Sequence, residues 1–212
     1  MGPSPDDTGP SADEALARLI EGNRRFLRGE ARGAPFRRET LADLARGQRP
    51  YATILGCSDS RVPPEWVFDA GLGELFVVRV AGNILSPEVE GSLQYAGSYL
   101  QTPLFVVLGH EGCGAIGAAL ATKHEGEQFR SRVQLLLESI VPGLPDLPAT
   151  LTSEEQLSQA VQANVRRAVR QIRGSPEGRA RAAEGRMKVV GAVYEIETGS
   201  VRFLPPDEDA KA

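Results

Sequence analysis

The segment Tyr51-Ala52-Thr53-Ile54-Leu55-Gly56-Cys57-Ser58-Asp59-Ser60-Arg61 is an apolar run that stops on a glycine and passes into a polar loop carrying a cysteine. The run is short and has β-branched members, the pattern of a buried strand. Leu104-Phe105-Val106-Val107-Leu108 repeats that pattern, closes on Gly109 and leads into His110-Glu111-Gly112-Cys113-Gly114. Between the two, Glu74 to Val80 forms another such run, and Lys188 to Ile196 a further one. Strands this uniformly apolar belong to a sheet covered on both faces, the usual setting of parallel strands.

Helical patterns fill the intervals. Ser11 precedes Ala12, Asp13 and Glu14, a capping hydroxyl with acids in the first turn. Leu16, Leu19, Ile20, Asn23, Phe26 and Leu27 then follow at helical spacing up to Gly29. Further helices are expected over Arg38–Arg46, Pro87–Leu100, Gly114–Thr122, Phe129–Ile140 and Ser153–Ile172, the last capped by Ser153 and stopped by Gly174. Val141 to Thr150, with its three prolines, reads as a loop, Thr198-Gly199 as a turn and Val201 to Leu204 as a short return strand. The alternation predicts an α/β fold with a mostly parallel central β-sheet flanked by helices and an N-terminal helical arm. A single domain is expected over residues 12–206, with disordered tails at 1–11 and 207–212.

Composition narrows the function. The chain has 212 residues, 41% hydrophobic and 25% charged, as in an ordinary globular protein. A net charge of -4 and a pI near 5.4 argue against nucleic acid as a general partner. A small anionic substrate needs only a local positive site, so it stays open. No apolar run approaches the roughly 20 residues that cross a membrane, and the N-terminus lacks the basic and apolar regions of a signal peptide. A cytoplasmic location is expected, with no membrane partner.

The chemistry sits at two strand ends, where open parallel sheets bind ligands. Cys57 and Cys113 are the only two cysteines. Cys57 and Asp59 alternate in sequence, so in extended chain their side chains point the same way. Arg61 is placed to pair with Asp59. His110 and Cys113 can converge across a glycine-rich turn. Thiolate and imidazole suit tetrahedral zinc, and three firm ligands with one replaceable position is the catalytic pattern. Two thiolates and a carboxylate would make the site anionic, and Arg61 can offset that.

Plainer readings compete for the same residues. Cysteines are often simple core residues, and a structural zinc would be closed by four Cys or His, a set in which Asp59 is a poor member. His124 reads as a solvated surface residue and Gly71-Leu72-Gly73 as a turn. Arg166, Arg167, Arg170 and Arg173 read as a solvated helix face. Trp66 and Phe68 read as core or interface packing residues.

Taken together, Cys57-Ser58-Asp59-Ser60-Arg61 and His110-Glu111-Gly112-Cys113-Gly114, with Glu74 to Asn83 between them, resemble the signature pair of β-class carbonic anhydrases. The resemblance runs from about Glu14 to Leu204. It implies one zinc per chain held by Cys57, His110 and Cys113, with Asp59 either a fourth ligand or paired with Arg61. The family's Asp–Arg dyad orients and helps deprotonate the reacting water, and the implied reaction is reversible hydration of carbon dioxide to bicarbonate by zinc-bound hydroxide. Gln48, Phe76 and Tyr95 match positions lining the carbon dioxide pocket, Gln48 also as a donor to bicarbonate, and Gly114 offers a backbone N–H near substrate. Ala81 departs from the valine common in that pocket. Ile54 replaces a tryptophan that bicarbonate-regulated members use in a second, inhibitory bicarbonate site, although Val62, Arg79 and Tyr194 match positions of that site. From the resemblance we expect a homodimer or a tetramer of dimers, with the helix from Asp13 to Leu27 packed on the partner, pocket residues gathered at the interface, and Asp59 paired with Arg61 near neutral pH. The sequence leaves open a hydrolase of carbon disulfide or carbonyl sulfide on the same fold, and a non-catalytic zinc protein or thiol sensor.

Overall fold

The computed structural model describes residues 9–32 and 38–206. In chain order the elements are α1 (Ala12–Leu27), α2 (Arg38–Leu44), β1 (Ala52–Gly56), α3 (Pro64–Val67), β2 (Leu75–Arg79), α4 (Pro87–Ser98), β3 (Leu104–His110), α5 (Gly114–Glu125), α6 (Arg132–Ile140), α7 (Ser153–Gly174), α8 (Pro176–Ala183), β4 (Lys188–Tyr194) and β5 (Val201–Phe203). The strands form one sheet in the order β2-β1-β3-β4-β5, parallel except for β5, which returns antiparallel to β4. The α/β architecture expected from the strand patterns is the one observed.

Every residue of β1 and β3 is buried, because both faces of these central strands are covered. Alternate residues go to opposite layers. Leu55, Phe105, Val107, Val189 and Val193 pack on one side with α4, α5, α6 and α7. Ile54, Leu104, Val106, Leu108, Ala192 and Tyr194 pack on the other with α1 and α3. The chain leaves β1 for β2 on one flank and comes back to β3 on the other. The crevice at the carboxyl ends of β1 and β3 is therefore the switch point where such sheets bind ligands.

Much of the apolar stripe of α1, expected to cover a partner, packs on its own chain, with Leu19 fully buried and Leu16 and Phe26 packed on the same cluster. The second face of the sheet has otherwise only the four-residue α3 to cover it, so α1 must lie there. Asn23 fastens the helix: its Nδ2 donates to the Val67 and Gly199 carbonyls (both 3.0 Å), and its Oδ1 accepts from the Val201 N–H (3.1 Å). The approach is close enough that a β-carbon at Gly22 would stand 1.9 Å from the Phe68 carbonyl oxygen.

Other boundaries shift for local reasons. The cap of α7 is Thr152, not Ser153: its hydroxyl takes the Glu155 N–H, and Glu155 returns a carboxylate to the Thr152 N–H. β3 runs through Gly109 to His110, since β4 keeps pairing there. Short helices α3 and α8 were not expected, though each begins with a proline in its first turn. The arginine face of α7 is only partly solvated, because Arg167 Nη1 donates to the Ser139 carbonyl (2.6 Å) and Arg166 Nη1 to that of Pro205 (2.9 Å). Phe68 is in the core as expected, whereas Trp66 is 72% exposed. Of the expected tails, residues 1–8 and 207–212 lie outside the described residues.

Candidate metal centre

β1 ends at Gly56, so Cys57 is the first residue of the loop at the crevice. β3 ends on His110, and Gly112, at φ 61, turns the chain in the left-handed region that favours glycine. That turn brings Cys113 back as the N-cap of α5. The ligand atoms of Cys57, His110 and Cys113 lie within 4.8 Å of one another, and all three residues are buried. His110 Nδ1 bonds the Glu111 carbonyl (2.9 Å), which fixes its proton there and leaves Nε2 as an acceptor. That Nε2 is buried and has no hydrogen-bond partner. An unpartnered imidazole nitrogen facing two buried thiols is the donor set that suits zinc.

The thiols differ. A hydrogen bond from Cys113, with help from the backbone around Asp59 and Gly82, holds the Cys57 thiol below its ordinary range. The same pairing and burial push Cys113 up. The Gly82 N–H donates to Cys57 Sγ at 3.4 Å.

Asp59 is turned to Arg61. Arg61 Nε donates to Oδ1 (2.9 Å), Nη2 to Oδ2 (2.8 Å), and the Arg61 backbone N–H also reaches Oδ1 (3.0 Å). Bidentate pairing of this kind is strong and directional. It is the main reason the Asp59 carboxyl lies far below the usual carboxylate range. Oδ2 remains 3.9 Å from His110 Nε2, so the carboxylate borders the trio. Arg79 was singled out in the sequence for a different site. Here its Nε donates to the Cys57 carbonyl (2.9 Å) and its Nη2 to that of Asp59 (2.5 Å), pinning the loop.

Cys57, Asp59, Arg61, His110 and Cys113 are thus one constellation. Gly114 follows Cys113 directly and opens α5. Phe76 and Tyr95 form a second group, with ring centroids 6.1 Å apart and Tyr95 46% exposed. Gln48 lies exposed in the segment before β1 and makes no side-chain hydrogen bond to either group among the described residues. Sequence reading missed Gly82 as a donor to sulfur, and no local signal marks it.

Residues 52–201 match the carbonic anhydrase family. The chain is 38% identical over 195 residues to carbonic anhydrase 2 of Mycobacterium tuberculosis, covering 91% of this chain and 92% of that one. It is 39% identical over 186 residues to a carbonic anhydrase of Mycolicibacterium smegmatis, covering 87% and 89%. Among solved structures, the β-carbonic anhydrase CcaA superposes with a TM-score of 0.71 at 27% identity, covering 90% of this chain and 99% of that one. The Coccomyxa β-carbonic anhydrase bound to acetazolamide gives 0.69 at 28%, covering 92% and 90%. The chain belongs to the carbonic anhydrase family and is an enzyme of its β class.

Proposed function

We propose that this enzyme hydrates carbon dioxide reversibly to bicarbonate and a proton, using one zinc per chain held by Cys57, His110 and Cys113. The observation that carries the reading is the pairing of Asp59 with Arg61 through both carboxylate oxygens, beside a buried trio whose His110 Nε2 lacks a partner. Zinc, when bound, supplies a Lewis acid that makes water a nucleophile near neutral pH.

The residues of the chain do the rest. Cys57, His110 and Cys113 would hold the zinc, which would supply an activated water for the reaction. The Glu111 carbonyl keeps the proton of His110 on Nδ1, so Nε2 stays a ligand. Arg61 keeps Asp59 ionised at the border of the trio, so that its carboxylate can accept a hydrogen bond from the water and orient it. Arg79 holds the backbone of that loop in place. The Gly114 N–H faces the substrate, and Gln48, Phe76 and Tyr95 line the carbon dioxide pocket. The exposed Gln48 and Tyr95 fit a pocket completed by a second copy of the chain, and the working assembly is a homodimer or a tetramer of dimers. The location is cytoplasmic; among the described residues no helix is long and apolar enough to cross a membrane.

Elemental analysis of the purified enzyme, paired with stopped-flow carbon dioxide hydration, tests the proposal. One zinc per chain with hydration activity is expected, and Cys57→Ser or His110→Ala should lose zinc and activity together. Zinc-loaded protein that consumes carbon disulfide or carbonyl sulfide but leaves carbon dioxide unhydrated, or full activity without metal, would sink it.

A further inference from the structure

A polar cavity of about 130 Å³ adjoins the Ala81–Asn83 turn, α6 and α7, and Asn83, Ile84, Glu138, Asn164, Arg167 and Gln171 are in its wall. One water needs roughly 10–15 Å³ on the same measure, so the space takes several waters or one small polyatomic ligand. Asn83 is 2% exposed, and its Nδ2 has no hydrogen-bond partner in the protein. Native proteins rarely leave a buried amide donor unmatched, because its desolvation is then uncompensated. Arg167 is half-buried and gives Nη1 to the Ser139 carbonyl (2.6 Å), with no carboxylate paired to it among the described residues. The one acid in the wall, Glu138, is exposed, and its Oε1 is taken by Gln134 Nε2 (3.1 Å). A buried amide donor and a half-buried guanidinium therefore line the cavity, and its one carboxylate is exposed.

We propose that this cavity binds a small oxyanion, held by Asn83 Nδ2 and the Arg167 guanidinium. An oxyanion supplies the acceptor that Asn83 lacks and the negative charge that Arg167 lacks. The cavity is separate from the metal trio but is linked to it through Gly82. Asn164 Nδ2 donates to the Gly82 carbonyl (2.9 Å), and the Gly82 N–H donates to Cys57 Sγ (3.4 Å). An occupant that turns Asn83 or Asn164 therefore shifts the turn that donates to Cys57. This inference stands whether or not the proposed reaction is right.

The test is a titration of the ¹⁵N-labelled, zinc-loaded protein with inorganic phosphate at constant ionic strength, with chloride as the control. Saturable shifts are expected at the side-chain amides of Asn83 and Asn164 and at the Gly82 N–H. Gln171→Glu adds a carboxylate at an exposed position in the wall, one helical turn from Arg167 on α7, where it competes for the guanidinium. It should weaken phosphate at least tenfold at unchanged zinc content, and Arg167→Gln should abolish the shifts. No saturable shift at these amides would mean the cavity holds water only and would overturn the proposal. Shifts identical in the parent and in Gln171→Glu would place the phosphate elsewhere, including at the metal, and would overturn it equally.

Discussion

Replacing Gly109 by alanine asks how β3 delivers His110 to the crevice. Gly109 lies in β3 directly before His110, beneath α7. A β-carbon there would stand 2.5 Å from Val165 Cγ2 and 3.2 Å from Val161 Cγ1. The first is nearly an ångström short of ordinary contact, which begins at 3.4 Å. Val165 has little room to escape. It is fully buried, its χ1 is stiff because it is β-branched, and its Cγ1 already stands where a β-carbon on Gly191 of β4 would be, at 2.8 Å. The valine is wedged between glycines on two adjacent strands, so α7 must lift or β3 must sink. Overpacking of this kind costs about 1–3 kcal/mol, and alanine recovers up to about 1 kcal/mol of the backbone entropy that glycine loses. A net loss of about 1–2 kcal/mol lowers the Tm of a chain this size by about 2–8 °C. Denaturant unfolding of the zinc-loaded protein measures the loss, and chelator competition should show faster zinc release, since His110 is the next residue. In a Val165→Ala background the same substitution should cost markedly less. Wild-type stability in Gly109→Ala, or an equal cost in both backgrounds, would refute the packing argument.

Two further outcomes concern the dyad. Arg61→Ala should keep its zinc and lose hydration activity by about 10² or more, the usual scale for a group that manages a proton, while Arg61→Lys should recover part of it; stopped-flow rates beside elemental analysis decide. Because Arg61 holds Asp59 below its ordinary carboxylate pKa, the dyad's stabilisation is fully present above about pH 4–5 and is lost as pH falls through the depressed value. The stability gap between wild type and Arg61→Ala should therefore be flat from pH 5 to pH 9 and close only in acid, as denaturation at stepped pH will show.

Much of this was legible in the sequence because the informative residues are local. β1 and β3 are apolar on both faces, so composition alone marks them, and the candidate ligands fall within two short segments at their ends. What was not legible depends on the register and on layer choice. The stripe on α1 says that the helix needs a surface but not whose, and only the bare second face of the sheet decides in favour of its own chain. Arg79 reaches the Cys57 and Asp59 carbonyls because β1 and β2 pair Gly56 with Arg79, a register no pattern in either strand reveals. Gly82 supports Cys57 through its backbone N–H, which carries no residue-type signal, and the Asn164 side chain reaches only the Gly82 carbonyl. Thr152 and Ser153 are both good caps, and the choice fell to the one three residues before Glu155.

The same register bears on regulation. Bicarbonate-regulated members, by the resemblance drawn above, bind an inhibitory bicarbonate at positions matched here by Ile54, Val62, Arg79 and Tyr194. In this chain Ile54 is fully buried, Val62 is 1% and Tyr194 5% exposed, and all three belong to the cluster that α1 covers. Arg79 is engaged with two loop carbonyls. To receive bicarbonate there, the enzyme would have to free Arg79 from the loop that carries Cys57 and Asp59 and also open a packed apolar layer, with no indole to rebuild the wall. The two costs fall on the same event and add. Asp59 should therefore stay on Arg61 across the neutral range, and activity should rise gradually with pH, without a cooperative step. Initial rates from pH 6.5 to 9, with and without added bicarbonate and corrected for its effect as product, check this. A steep pH–rate curve that bicarbonate steepens further, or a crystal structure near pH 7.5 with Asp59 on the metal, would show that the packed layer opens after all.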